Sequence, residues 1–518
     1  MSERAYPGEV IRAAEVPLLG AGAPLMERAA TALALYSAAA LRARGRAARD
    51  RRVAGSRVCV LAGPGNNAGD ALFAAASLAR GGAQVSIVLL FDRTHDEGLR
   101  AARRAGARAI DLAAVPAADA LETLRRADLV LDGILGTGGR RGLPAHITGL
   151  IRDWRRGGPT PGTVIAVDVP SDLDPADPET AGERIHADHT VTFGGLKAEL
   201  IDPRVRRFTG RVHVVDIGLD LDAARAAAEV MVGPDLAADF PRPRADDHKY
   251  SRGVLGVVAG SATYPGAGVL TTTSAVGSGI GMVRYLGAAS VADRVLTHHP
   301  EVVTAEGAVD ALVMGSGDPE DEFVAPALEA IADTDVPLVL DAGSLALVGD
   351  DAAALTGRPV VLTPHAGELA RLLSRLLGED VSASRITADP LGWARRAASR
   401  TGHIVLLKGG STVIACPDGY AVLPESGPPS LATAGSGDVL SGIIGSLLAG
   451  AHARATRRGA EPGESLDDRT IARTLGLAVL VHNAAGSRCV NAGQLATAVG
   501  DVVEGLLHPD PSASDSPR

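Results

Sequence analysis

The residues that could do chemistry gather in a few short glycine-rich segments. Thr433 to Gly450 reads TAGSGDVLSGIIGSLLAG, a glycine turn feeding an apolar helix. Backbone N–H groups at such a helix start aim where negative charge develops, and Asp438 stands among them as a base. The combination suits phosphoryl transfer, in which losing one such donor costs about 3–4 kcal/mol of barrier. LLKGGST offers Lys408, Gly409, Gly410, Ser411 and Thr412, a loop able to cradle nucleotide phosphates. LTPHAGE offers His365 and Glu368, and this acid could hold a hydrated Mg²⁺ through its waters. VLDA adds Asp341 at the end of an apolar run.

A second group lies far upstream. GPGNNAGDA, Gly63 to Ala71, follows one apolar run and leads into LFAAASLAR, which is compatible with a helix. Its glycines would let backbone N–H groups approach a phosphate, while the oxygens of Asn66, Asn67 and Asp70 suit a hard cation. An ordinary dinucleotide-binding dehydrogenase competes, because Asp92 closes the next strand about 20 residues on, where an acid takes a ribose hydroxyl. The spacing, however, is not GxGxxG. DGILGTGGRRG puts Asp132 at a strand end before Gly136, Gly138, Gly139 and Gly142, an anion cradle charged by Arg140 and Arg141. DVPSDLD supplies Asp168 and Ser171, and VTFGGLKAEL supplies Lys197. Singly, each segment also reads as a helix cap or a plain turn.

The cations sharpen the choice. Among 51 Lys plus Arg the only lysines are Lys197, Lys249 and Lys408. A chain that uses Arg for generic positive charge keeps lysine where a compact ammonium matters. That ranks Lys408 first and Lys197 second, with no role to name for Lys249.

These segments need strand ends to hold them. RVCVLAG, AQVSIVLLFD, ADLVLDG, TVIAVDVP and RVHVVDIG read as buried strands with helical spacers, the pattern of a parallel sheet covered on both faces. After AADFPRPRADDHK the pattern restarts with GVLGVVAG, ALVMG, VPLVLDA, PVVLTPH and HIVLLKG. The 518 residues therefore divide into a domain over 1–237, a linker over 238–249, a domain over 250–507 and a disordered tail over 508–518. The fold class is α/β. A net charge of −10 argues against nucleic acid, and the basic run from Arg42 to Arg52 reads as a solvated helix end. Three separated cysteines and no basic-then-apolar leader point to the cytoplasm. The uncharged stretch Gly253 to Val283 holds too many Gly, Ser and Thr for a membrane span.

The upstream motifs, in this order and together with LMERAA, resemble the NAD(P)H-hydrate epimerase family over residues 10–220, implying a Rossmann-like three-layer domain. The resemblance implies that Asn66, Asn67, Ala68, Gly69 and Asp70, with Gly136, Thr137, Gly138, Gly139, Arg140, Arg141 and Gly142, contact hydrated NADH or NADPH. Asp168 would lie beside it, sharing proton handling with Lys197. Asn67, Asp132 and Ser171 match the family's K⁺ ligands. Ala68, Ala71, Asp172 and Ala198-Glu199 depart from the family pattern, the acids adding negative charge.

HKYSRG, VVAGSATYPGAG, LTPHAGE, LKGGSTVIA and ATAGSGDVLSG resemble the NAD(P)H-hydrate dehydratase family over residues 243–505, a ribokinase-like fold. By that resemblance Ala267, Gly317, His365 and Asp438 line the hydrated-nicotinamide site, and Lys408 to Thr412 with Gly437 bind the nucleotide. ADP would phosphorylate the ring hydroxyl, phosphate would then be eliminated, and AMP would be released. GSGDP, DAGSL and ESGPPSLATA depart from the usual motifs. The leading expectation is a cytoplasmic, homo-oligomeric repair enzyme that epimerises R and S hydrates and dehydrates the S form. A ribokinase-like small-molecule kinase with an N-terminal nucleotide-binding or regulatory module is the alternative.

Overall fold

The computed structural model describes residues 3–44, 52–137, 142–157, 162–173, 184–317, 321–349, 355–457 and 466–509. Gly138, Gly139, Arg140 and Arg141, most of the basic run, and all of the expected tail beyond residue 509 lie outside the described residues. The chain forms two compact units, Arg4–Ala227 and Ala228–Arg518, the latter taking in Met1–Glu3.

In the N-terminal unit β1 (Glu3–Tyr6) begins the chain, and the main sheet uses β2 (Arg57–Ala62), β3 (Gln84–Leu89), β4 (Arg108–Asp111), β5 (Leu129–Gly133), β6 (Thr163–Val167) and β7 (His189–Phe193). β8 (Leu196–Lys197) pairs in parallel with β1, setting Tyr6 opposite Lys197. β9 (Arg211–Val215) closes the main sheet, whose order is β4-β3-β2-β5-β6-β7-β9 with every pair parallel. Apolar runs without alternation make this possible: β5 is buried at every position, as a strand covered on both faces must be. Leu33 and Leu72 of the helices Leu25–Arg44 and Asn66–Arg80 cover one face. Leu124, Ile147 and Trp154 of the helices Ala117–Arg126 and Ala145–Arg156 cover the other. Truncating one of these fully buried side chains to Ala would cost about 2–5 kcal/mol. The strand order reverses direction between β2 and β5, which opens a crevice at their carboxyl ends. Both upstream glycine loops begin there.

The second unit starts with β10 (Ala228–Met231), followed by β11 (Val254–Val258), β12 (Met282–Tyr285), β13 (Ala311–Met314), β14 (Leu338–Leu340), β15 (Val360–Leu362), β16 (Ile404–Leu407), β17 (Val413–Ala415) and β18 (Ala421–Pro424). Within it the order is β12-β11-β13-β14-β15-β16-β17-β18-β10, parallel from β12 to β16 and antiparallel through β17 and β18. The helix Ser436–Arg457 lies against the helix Pro265–Gly277. Gly442 permits this, because any side chain there would overlap the Thr271 carbonyl.

The observed class is the expected α/β one. The division between units differs from the expected linker: it falls at Ala227/Ala228, because β10 pairs along its whole length with β18. Residues 238–249 accordingly attach to the second unit, where Asp247 accepts hydrogen bonds from Ser251 Oγ (2.9 Å) and Arg457 Nη1 (2.8 Å). The stretch Gly253 to Val283 forms β11, the helix Pro265–Gly277 and the start of β12. Among the described residues no helix is long and apolar enough to cross a membrane.

Candidate functional site

The crevice of the N-terminal unit holds a cavity of about 800 Å³. Asn66, Asn67 and Asp70 line it from the start of the helix Asn66–Arg80, and Gly136, Thr137 and Gly142 from the loop after β5. Asp168 and Lys197 face it from the ends of β6 and β8, together with Arg12 and Glu15 of the first helix. Ala68 and Gly69 do not line it; they are buried on the helix, Gly69 against Met26 and His95.

Asp168 has a φ of 69°, a left-handed conformation that strains any residue but glycine and marks a constraint set by the surroundings. Its Oδ1 lies 2.7 Å from Lys197 Nζ and its Oδ2 accepts the Thr137 N–H at 3.1 Å. Burial pulls the carboxyl upward, but the Lys197 charge and the Thr137 amide outweigh it, so Asp168 is held below the usual carboxylate range. Lys197 is 3% exposed and donates also to Thr192 Oγ1 (2.9 Å) and Phe193 O (3.0 Å). An ammonium has three donors, and all three are used. The neighbouring acids behave differently. Burial, then the charges of Asp168 and Glu15, push Asp70 well above its ordinary value. Burial likewise raises Glu15 and Glu199.

Asp132 is completely buried, accepting from Ser171 Oγ (2.5 Å) and Ser171 N (2.9 Å). Burial pushes its carboxyl up to about 6 against these bonds. The Asn67 amide packs against Gly136, with both Oδ1 and Nδ2 buried and unpartnered among the described residues. Asp172, another left-handed residue (φ 63°), accepts the Gly142 N–H at 2.7 Å. Its charge is thus engaged by the loop backbone.

In the second unit the site runs along the carboxyl ends of the parallel strands. After β11 and β13 the chain packs so closely that Gly317 (φ 72°) admits no side chain beside Ala267. Asp341 ends β14. His365 follows β15 and forms a bridge with Lys408 after β16, whose N–H donates to Pro364 O at 2.9 Å. Gly409 to Thr412 then turn the β16–β17 hairpin, where Gly409 and Gly410 are exposed and uncrowded. Over this edge comes the helix Ser436–Arg457: a side chain at Gly437 would stand 3.3 Å from Lys408 Nζ. Burial, then the Asp341 charge, pushes the Asp438 carboxyl up to about 6, with Lys408 and the Ser316 hydroxyl opposing. His482 Nε2 lies 3.0 Å from Ser436 O and pins the glycine turn; burial lowers this imidazole to about 4, so it is neutral.

His365 and Glu368 have a local duty as well. His365 Nδ1 accepts the Gly367 N–H (3.0 Å) while Glu368 Oε2 accepts the His365 N–H (2.8 Å), a capping box on the helix Ala366–Leu377. Sequence reasoning did not assign Glu15, Ser316, Ser441 or His482, and it left Asp341 without a role. Ser441, one turn after Asp438 on the same helix, was the one with a readable signal. Lys249, third of the lysines, is exposed and rests 5.0 Å over the Tyr250 ring.

Residues 255–496 match a family model described as NAD(P)H-hydrate dehydratase, and residues 22–198 match one described as YjeF-related protein N-terminus. A Mycobacterium tuberculosis protein named bifunctional NAD(P)H-hydrate repair enzyme Nnr is 44% identical over 458 residues, covering 86% of this chain and 89% of its own. A Microbacterium testaceum protein named NAD(P)H-hydrate epimerase is 43% identical over 245 residues, covering 47% of this chain and 90% of its own. Among solved structures, an ADP/ATP-dependent NAD(P)H-hydrate dehydratase from Bacillus subtilis is 26% identical with a TM-score of 0.42, covering 53% of this chain and 97% of its own.

Proposed function

Because this chain belongs to the family of bifunctional NAD(P)H-hydrate repair enzymes, we propose that Asp168, supported by Lys197, carries its first activity and Asp438 its second. The protein is an NAD(P)H-hydrate epimerase fused to an NAD(P)H-hydrate dehydratase, and the kinase alternative falls away. The observation that supports the assignment of residues is an ion pair at a strand's carboxyl end in each half: Lys197 with Asp168 itself, and Lys408 with Asp341, whose charge acts on Asp438.

Epimerisation inverts one ring carbon of the hydrated nicotinamide by reversible loss and return of its hydroxyl, or by ring opening. Asp168, kept ionised by Lys197, accepts the proton this requires. Lys197 has no donor to spare, so its part is to hold that charge. Asn66, Asn67 and Asp70 with Gly136 to Gly142 would receive the nucleotide. A K⁺ ion fits Asn67, Asp132 and Ser171, since the Asn67 amide is buried without partners and the Asp132 carboxylate has no counter-charge among the described contacts. It would supply positive charge beneath the nucleotide loop.

For dehydration, Lys408 to Thr412 and Gly437 would hold ADP, and Ala267, Gly317 and His365 the ring of the S hydrate. Asp438 takes the ring hydroxyl's proton as its oxygen bonds to the transferring phosphorus and the P–O bond to AMP breaks. The C–O bond then breaks as phosphate leaves, a proton is lost from the adjacent ring carbon, and the double bond of NAD(P)H returns. Mg²⁺ fits Glu368 through water, because the capping box fixes that carboxylate and leaves it lone pairs; the ion would offset phosphate charge. We also propose a cytoplasmic location and self-association, for which the exposed Val16, Leu19 and Leu35 offer apolar surface.

The test supplies purified protein with mixed R and S hydrated NADH and ADP or ATP, and follows the reduced-nicotinamide absorbance. Complete recovery is expected. Recovery of the S fraction alone would remove the epimerase assignment, and a stable phosphorylated product would restore the kinase.

A further inference from the structure

We propose that Asp341 is a positioning residue for dehydration, holding the Lys408 ammonium in one place at the mouth of the turn that carries Asp438. The proposal rests on the reading of Asp438 as the base. Asp341 is 2% exposed, and both its oxygens are satisfied. Oδ1 accepts from Lys408 Nζ (2.6 Å) and Ala342 N (3.0 Å), Oδ2 from Ser316 Oγ (3.1 Å) and Ser441 Oγ (2.8 Å). These donors come from the ends of β16 and β13, the turn after β14, and the helix that begins at Ser436. Ala342 keeps a left-handed φ of 43° beside this knot, a strain for alanine that the surrounding contacts must outweigh.

A carboxylate so fully engaged is a poor acceptor for a substrate proton. Its consequence is exported through Lys408. That ammonium gives one donor to Asp341 and makes no other side-chain hydrogen bond among the described residues, leaving two for an incoming phosphate. Gly437 keeps the space in front of it clear. The same carboxylate also faces Asp438, which is surrounded by Asp341, Lys408 and the Ser316 hydroxyl, with neutral His482 behind the turn.

The decisive variant is Asp341→Asn in the full chain, which keeps shape and removes charge. Lys408 loses its anchor, so kcat/KM for ADP should fall roughly ten- to a hundredfold, chiefly through KM. Asp438 loses a like charge, so the acid limb of the dehydration pH profile should move to lower pH. Lys408→Met should move it to higher pH. A merely structural Asp341 would shift neither limb nor KM apart from lowering the melting temperature. If Asp341→Asn does not fold, Ser316→Ala with Ser441→Ala loosens the carboxylate without neutralising it and should raise KM for ADP severalfold. Wild-type KM and acid limb in whichever variant folds overturn the proposal. Dehydration surviving in Asp438→Asn instead overturns the reading beneath it.

Discussion

Each half of the molecule pairs a lysine with an aspartate at a strand's carboxyl end, yet the two pairs divide their labour in opposite ways. In the N-terminal unit Lys197 is 3% exposed with every donor used, while Asp168 faces the cavity from a strained backbone. In the C-terminal unit Asp341 is the sealed partner, and Lys408, with 18% of its side chain exposed, faces outward. On the proposed reading, the same kind of ion pair prepares an acceptor for protons in one half and a donor for phosphate in the other. Which partner works is decided by which one retains unused hydrogen-bonding capacity.

The largest effect should come from removing a base from one half only. Asp438→Asn is expected to lower dehydration by about 10²–10⁴-fold while R and S hydrates continue to equilibrate, as read by chromatography of the two epimers. Loss of both activities in a folded variant would break the separation between the halves.

The lysines sharpen the contrast. Lys197→Met removes a 3% exposed ammonium with all three donors used and leaves buried Thr192 and half-buried Asp168 without their cation, so it should destabilise the N-terminal unit by about 3 kcal/mol in urea unfolding. Lys408→Met leaves Asp341 its hydroxyl and amide partners, so the cost should be smaller while dehydration still collapses. Equal stability losses would show that both lysines are structural.

A third contrast concerns pH. His482 is neutral in the native state down to about 4, whereas an unfolded histidine takes up its proton near 6.5. Between these values the unfolded state binds more protons, so stability falls as pH drops through that window, by up to about 3 kcal/mol, and then levels. His482→Gln should flatten the dependence in the C-terminal unit; an unchanged slope would mean that His482 is not the group responsible. Over the same range the dehydration rate should drop below about pH 6 as Asp438 protonates, whereas Asp168, held low by Lys197, imposes no such limb on epimerisation.

What could be read in the sequence was whatever is contiguous. The GSGD turn, the GPGNN loop and the apolar strands are local patterns, and the rarity of lysine drew attention to Lys197 and Lys408. The Asp341 knot is not local: Ser316 and Ser441 reach it from 25 and 100 residues away. The unit boundary was hidden for the same reason, since AEVM is too short to announce a strand and is one only because β18 receives it. His365 and Glu368 err the other way. Their i, i+3 spacing is a capping signature as much as a ligand set, and both readings occupy the same atoms.

The smallest expected effect tests whether the acids by which the N-terminal motifs depart from the family pattern matter. Asp172 occupies a left-handed position that glycine would adopt without strain, and glycine there would release roughly 1 kcal/mol. It would also lose the hydrogen bond from the Gly142 N–H, worth roughly the same amount or slightly more. Asp172→Gly should therefore change stability by no more than about 1 kcal/mol, while Gly142 loses the acceptor of its N–H. If that hydrogen bond positions Gly142 on the cavity wall for the dinucleotide, KM for the hydrate rises severalfold with kcat unchanged. If KM falls instead, Asp172 acts on the polyanion through its charge, a cost that Asp341 avoids in the C-terminal half because Lys408 pairs with it.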